Sequence, residues 1–294
     1  MAHKIVHTHR IYSPMPHCTV QSWTITNERG LDLLGNTHTP ATPPAACVIL
    51  MHGFKGYKDY GFIPVLAHDL CDAQMVVHRF NFSTSGMTNA IETFARPDLF
   101  ALDTWNRQVE DAMRVVQAVH SGEIAGKGLP IYLVGHSRGG ATALLTAGRC
   151  GDSLHLAGIV TINAVDDCCR MSQDEQDAML ARGYAMTQSA RTHQNLRIER
   201  NWLREQLDAP ERHDVLLQAS KITCPVCVVH SSNDQAVHSS AGQAIAKACK
   251  TELICLAEGN HVLNMPNPSR VDTDRSEQLL KVTSTITRFI DEQS

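Results

Sequence analysis

Six short apolar runs recur along the chain: ACVILMH (46–52), MVVHRF (75–80), PIYLVG (130–135), LAGIVTIN (156–163), PVCVVHS (225–231) and ELICLAE (252–258). Continuous runs of this length, without polar alternation, suit strands buried on both faces of a parallel sheet. Helix-like stretches separate them, notably PDLFALDTWNRQVEDAMRVVQAVH (97–120) and ATALLTAGR (141–149). Such alternation predicts an α/β arrangement, a mostly parallel central sheet with helices on both faces. The first forty residues differ. HKIVHTHRIY and HCTVQSWTITN read as a pair of antiparallel edge strands, with GNTHTPATPPA as a proline-rich connector. Residues 165–223 form a long departure from the alternation, polar and mostly helical in stretches such as SQDEQDAMLAR and IERNWLREQL. One crossover helix needs far fewer residues. The reading is a single domain over 1–294, with 165–223 inserted as a helical cap or lid over the strand ends, where open α/β sheets bind ligands.

Composition narrows the partners. Of 294 residues, 43% are hydrophobic and 19% charged, enough for one large core. The formal net charge of −4 is not gathered into any run, so neither nucleic acid nor an anionic membrane is expected as a partner. The opening MAHKIVHTHRIY lacks the apolar core of a signal peptide, and no apolar stretch reaches membrane-spanning length, so a cytoplasmic location is the expectation. Ten cysteines lack the dense regular spacing of a disulfide scaffold and are expected to stay reduced. The CPVC pair, Cys224 and Cys227, opens a strand-like run rather than a helix, which argues against a redox site. His3, His7 and His9 have no matching cysteine or acidic cluster, so no metal is expected.

The chemistry gathers around GHSRG, Gly135 to Gly139, which matches G-x-S-x-G between an apolar run and a helix-like stretch. Glycines there let the chain double back sharply and leave the Ser137 hydroxyl projecting from a strained turn. The MHGFKG segment (51–56) follows another strand-like run and is positioned to present the Phe54 backbone N–H. With the N–H of Arg138 it would form an oxyanion hole. HSSNDQAV and EGNHVL follow the two last apolar runs, placing Asp234 and His261 beyond strand ends on the edge that carries Ser137. Ser, Asp, His is the chain order of this kind of triad. In that chemistry the imidazole takes and returns the serine proton while the carboxylate holds the tautomer. Asp234 is favoured over Asp166 and Asp167, and His261 over His230 and His238. His136 is read as a packing residue and His52 as ordering the oxyanion turn through hydrogen bonds. Lys55, Tyr57 and Lys58 are read as a solvated loop.

These residues resemble the α/β-hydrolase superfamily over nearly the whole chain. HGFKGYKDYGF, HRFNFSTSG and GHSRGG are similar to a branch near the cinnamoyl and feruloyl esterases and the serine aminopeptidase-like hydrolases. The resemblance implies Ser137, Asp234 and His261 as the triad, Phe54 and Arg138 as the oxyanion donors, and a cap at the 165–223 segment. It implies no cofactor. A serine in the elbow implies acyl transfer through an acyl-enzyme, and the leading expectation is hydrolysis of small or medium carboxylic esters. An aminopeptidase-like peptide hydrolase, with Asp174, Glu175 and Asp177 anchoring the substrate amine, and a thioesterase are the alternatives. A non-catalytic binding protein on this fold is a further class. The expected partner is a small-molecule ester, with a homodimer left open.

Overall fold

A computed structural model describes residues 18–293. His3, His7, His9 and the first of the two proposed edge strands lie outside the described residues. The described part of the chain opens with β1 (Cys18–Thr26), which turns back through Asn27–Gly30 into β2 (Asp32–Pro40). Trp23 pairs with Gly35 next to the centre of this antiparallel ladder. The segment read as a proline-rich connector is therefore largely strand. Only 41–45 connects, and the small polar residues of β2 gave no apolar signal to announce it.

Next come β3 (Ala46–Met51), α1 (Ile63–Asp72), β4 (Met75–Asn81), α2 (Pro97–Ala101) and α3 (Trp105–Ser121). The long helix-like stretch is thus two helices. The Thr104 hydroxyl accepts from the Arg107 amide and restarts the chain as α3, while Gly122 in the left-handed conformation ends it. After β5 (Ile131–His136), α4 (Arg138–Cys150) and β6 (Leu156–Ile162), the 165–223 segment begins. It contains α5 (Gln173–Arg182), β7 (Tyr184–Gln188), β8 (Asn195–Glu199), α6 (Asn201–Asp208), α7 (Pro210–His213) and α8 (Val215–Ala219). The mostly helical reading of this segment therefore missed an antiparallel hairpin, β7 with β8, whose strands are only five residues each; the polar-apolar alternation of Asn195–Glu199 was the one signal available for it. The chain closes with β9 (Val226–Ser231), α9 (Ser240–Ala248), β10 (Leu253–Leu256) and α10 (Glu277–Asp291).

All six apolar runs are strands, side by side and parallel in the order β4-β3-β5-β6-β9-β10; β2 joins β4 antiparallel, and β1 forms the edge. Because successive side chains of a strand face opposite sides, each run feeds two cores. Cys47, Ile49 and Met51 of β3 pack with α3, α4, α8 and α9, whereas Ala46, Val48 and Leu50 pack with α1 and α10. Among the described residues, no helix is long and apolar enough to cross a membrane.

The chain crosses from β3 to β4 on one side and to β5 on the other, so strand order reverses at β3. A crevice opens there beyond the strand ends. Far from it, Cys18 is bonded to Cys71, with Cα atoms 6.1 Å apart, tying β1 to the last turn of α1. This corrects the expectation that every cysteine stays a thiol: a separation of 53 residues leaves no local spacing to read.

Candidate active site

Ser137 stands at the reversal point, between β5 and α4, with φ 55° and ψ −122°, a conformation strained for any side chain. Its amide donates to the Ile162 carbonyl of β6 at 2.9 Å. The tight corner depends on Gly139, where a Cβ atom would stand 2.4 Å from the Met51 carbonyl oxygen. That contact brings the end of β3 against the start of α4. Gly53 then lies over Ser137, leaving its own missing Cβ only 2.9 Å from the serine Cβ.

His52 shapes the turn after β3. Its Nε2 accepts from the Phe82 amide at 3.3 Å, so the proton sits on Nδ1, which donates to the Gly53 carbonyl at 2.9 Å. Burial lowers its pKa to about 4, keeping the ring neutral. Among the described residues, no hydrogen-bond acceptor engages the backbone N–H of Phe54 or Arg138. Lys55, Tyr57 and Lys58 do not form a solvated loop. Lys55 Nζ donates to the Gln188 carbonyl at 2.9 Å and the Thr187 hydroxyl at 3.3 Å, binding the turn to β7. Tyr57 is buried under Arg191, and Lys58 is buried in an ion pair with Asp59 at 2.6 Å.

Asp234 and His261 meet beyond β9 and β10, with Oδ2 of the acid 2.7 Å from Nδ1 of the imidazole. The other carboxylate oxygen accepts from the Ala236 and Val237 amides, both at 2.8 Å. Burial pushes the Asp234 pKa up, but the His261 hydrogen bond and these amides outweigh it and leave the carboxyl below its ordinary value. The carboxylate is fully buried and the His261 side chain 23% exposed, so the acid is shielded while the imidazole reaches the crevice.

The rival residues are committed elsewhere. Asp166 pairs with Arg170 at 2.9 Å, and Asp167 caps the Cys169 amide. His238 is exposed beside Ser240. His230 is buried below Asp234, its Nε2 bonded to the Val237 carbonyl at 2.9 Å. Burial lowers the His230 pKa, and that of His136 to about 3.

Two contributions escaped the sequence reading. His136 does pack, edge-on to Phe62, but its Nε2 also donates to the His261 carbonyl at 2.7 Å. Asn163, at φ 50° after β6, donates to the same carbonyl at 3.0 Å and accepts from the Ser231 amide of β9 at 2.7 Å. The main chain of His261 is thereby fastened to three central strands. The one available signal was an asparagine closing TIN, a residue that tolerates the left-handed conformation after a buried strand.

A cavity of about 360 Å³ opens beside Ser137. Phe54, Trp105 and Arg138 line it from the sheet side, and Met171, Met179, Met186, Ile198 and Trp202 from the 165–223 segment. Its wall is mostly apolar, with the few charged groups supplied by Arg138, Asp167, Arg170 and Glu175.

Among solved structures, Est1E from Butyrivibrio proteoclasticus with ferulic acid bound superposes with a TM-score of 0.68 at 18% identity, covering 92% of this chain and 98% of that one. A putative hydrolase from Agrobacterium vitis gives 0.67 at 18%, covering 93% and 99%, and the esterase domain of a Rhodothermus marinus protein 0.63 at 20%, covering 93% and 98%. At such identities the likeness is one of fold. Among curated proteins none matches. The model of the alpha/beta hydrolase family matches residues 48–273, from β3 to the loop beyond β10, and the chain belongs to that family.

Proposed function

We propose that the protein is a serine hydrolase of carboxylic esters, with Ser137 as nucleophile, His261 as general base and acid, and Asp234 as the group that orients and stabilises the imidazolium. The observation that carries this reading is the 2.7 Å bond from His261 Nδ1 to a buried Asp234 carboxylate held by two further amides. With its proton on Nδ1, the imidazole keeps Nε2 basic for the serine hydroxyl. The backbone N–H groups of Phe54 and Arg138 would receive the oxyanion, each worth about a hundredfold or more in rate. Acylation of Ser137 expels the alcohol, which takes its proton from His261. Water then enters through the same base and releases the acid.

The 165–223 segment acts as a cap whose apolar wall receives the organic part of the ester. Its acidic residues are not arranged as an amine anchor. Asp174 and Asp177 are exposed, and Glu175 is engaged by Ser172 in the capping box of α5. Ester hydrolysis is accordingly preferred to peptide hydrolysis.

The test is turnover of a short-chain chromogenic ester, together with fluorophosphonate labelling, for the wild type and Ser137→Ala. Wild-type turnover and labelling that both vanish in the variant are expected. Turnover that survives the substitution would place the chemistry elsewhere.

A further inference from the structure

The guanidinium of Arg138 sits beside the nucleophile with an unusual imbalance of partners. Its side chain is 7% exposed, and Nη1 lies 3.0 Å from Oδ2 of Asp103, itself buried. Thr84 and Gln108 complete the coordination of Asp103, so that carboxylate is fully committed. Trp105 stacks on the guanidinium face at 4.5 Å and Phe54 lies 5.5 Å away. Yet Nε and Nη2 are buried without a hydrogen-bond partner. These two nitrogens share one edge of the guanidinium, where two N–H bonds run parallel and match the two oxygens of a carboxylate. A buried, unsatisfied donor pair of this kind is costly to maintain.

Arg138 lines the same cavity as Ser137. The other charged groups there are already engaged: Arg170 with Asp166, Glu175 with Ser172, and Asp167 with the Cys169 amide. Phe54 is 38% exposed against 2% for Trp105, so of the two rings beside the guanidinium it is the less tightly packed.

We infer that the side chain of Arg138 is a specificity determinant that receives a free carboxylate on the substrate, so that the preferred substrates are monoesters of dicarboxylic acids. This rests on the ester-hydrolase reading above. The substrate carboxylate docks on the Nε–Nη2 edge while the ester carbonyl lies at Ser137, and the apolar wall covers the methylenes between them.

The experiment compares kcat/KM for monomethyl succinate, glutarate and adipate with that for the methyl esters of butanoic, pentanoic and hexanoic acid, alongside the neutral chromogenic ester. A charge-assisted bidentate contact predicts a preference of about tenfold or more for at least one monoester over its neutral match. In Arg138→Lys, which keeps the charge and loses the parallel N–H pair, that preference should fall by about tenfold whatever happens to absolute rates. A second measurement needs no variant: glutarate should inhibit the wild type competitively at concentrations about tenfold or more below those required of butanoate. Neutral esters preferred, a ratio unchanged in Arg138→Lys, or equal inhibition by the two acids would overturn the inference while leaving ester hydrolysis standing. No turnover of any ester, the chromogenic one included, would remove the hydrolase reading and this inference with it.

Discussion

At the scale of single residues, the site depends on main-chain proximity that side chains could only disturb. Gly139→Ala must drive a methyl group into the Met51 and His52 carbonyl oxygens, which cannot swing aside as a side chain would. The expected result is a loss of about 1–3 kcal/mol in stability, measured by urea unfolding, and a larger proportional loss of activity as the Phe54 and Arg138 amides separate. Asp234→Asn tests a different property. Its neutral amide no longer favours the proton on His261 Nδ1 or the imidazolium, so kcat for ester turnover should fall by about 10³–10⁴-fold. Near-ultraviolet circular dichroism unchanged from wild type would separate this from unfolding. A decrease smaller than tenfold would remove Asp234 from the role assigned to it.

At the scale of elements, the apolar runs that face two cores were legible because burial on both sides erases polar alternation. The GHSRG corner and the Asp234 and His261 loops were legible because each follows directly on such a run. What escaped was held by contacts distant in sequence. The β2 strand is specified by its neighbours β1 and β4, not by its own composition of Gly35, Asn36, Thr37 and His38. The β7–β8 hairpin is likewise pinned from outside, at its turn end, by Lys55 on the Gln188 carbonyl and by Gln194, which bonds the Thr93 hydroxyl and the Phe94 amide. These clamps predict a standing wall beside Ser137. In Lys55→Met, hydrogen exchange should accelerate across 184–199 and stay unchanged in β5 and β6. A more local case is α5, which faces solvent along most of its length and relies on its capping box. Ser172→Ala should destabilise it by about 1 kcal/mol, read as faster exchange confined to the first turns of α5.

At the scale of the whole molecule, four buried histidines set the acid limit. Burial lowers the pKa of His38 and His136 to about 3, and of His52 and His78 to about 4. The folded state thus binds fewer protons than the unfolded chain once pH falls below about 6.5. Each histidine contributes stability that is complete above that pH and is lost as pH falls toward 3–4, at about 1.4 kcal/mol per pH unit. Asp111 works in the other direction: burial raises its carboxyl pKa to about 6, so its penalty is relieved between about pH 6 and 4 and offsets one histidine. Thermal midpoints should therefore drop steeply from pH 6.5 to 5, and a flat profile would contradict the neutral burial of these rings. The same framework has a consequence for the loop that carries His261. Its carbonyl is moored by His136 and Asn163 to the central strands, upstream of the long descent from 262 to 276 that leads into α10. The imidazole therefore takes its position from the sheet rather than from the loop behind it. Residues inserted in the exposed part of that descent should leave the His261–Asp234 distance untouched, so relatives are free to vary in length there and keep the same chemistry.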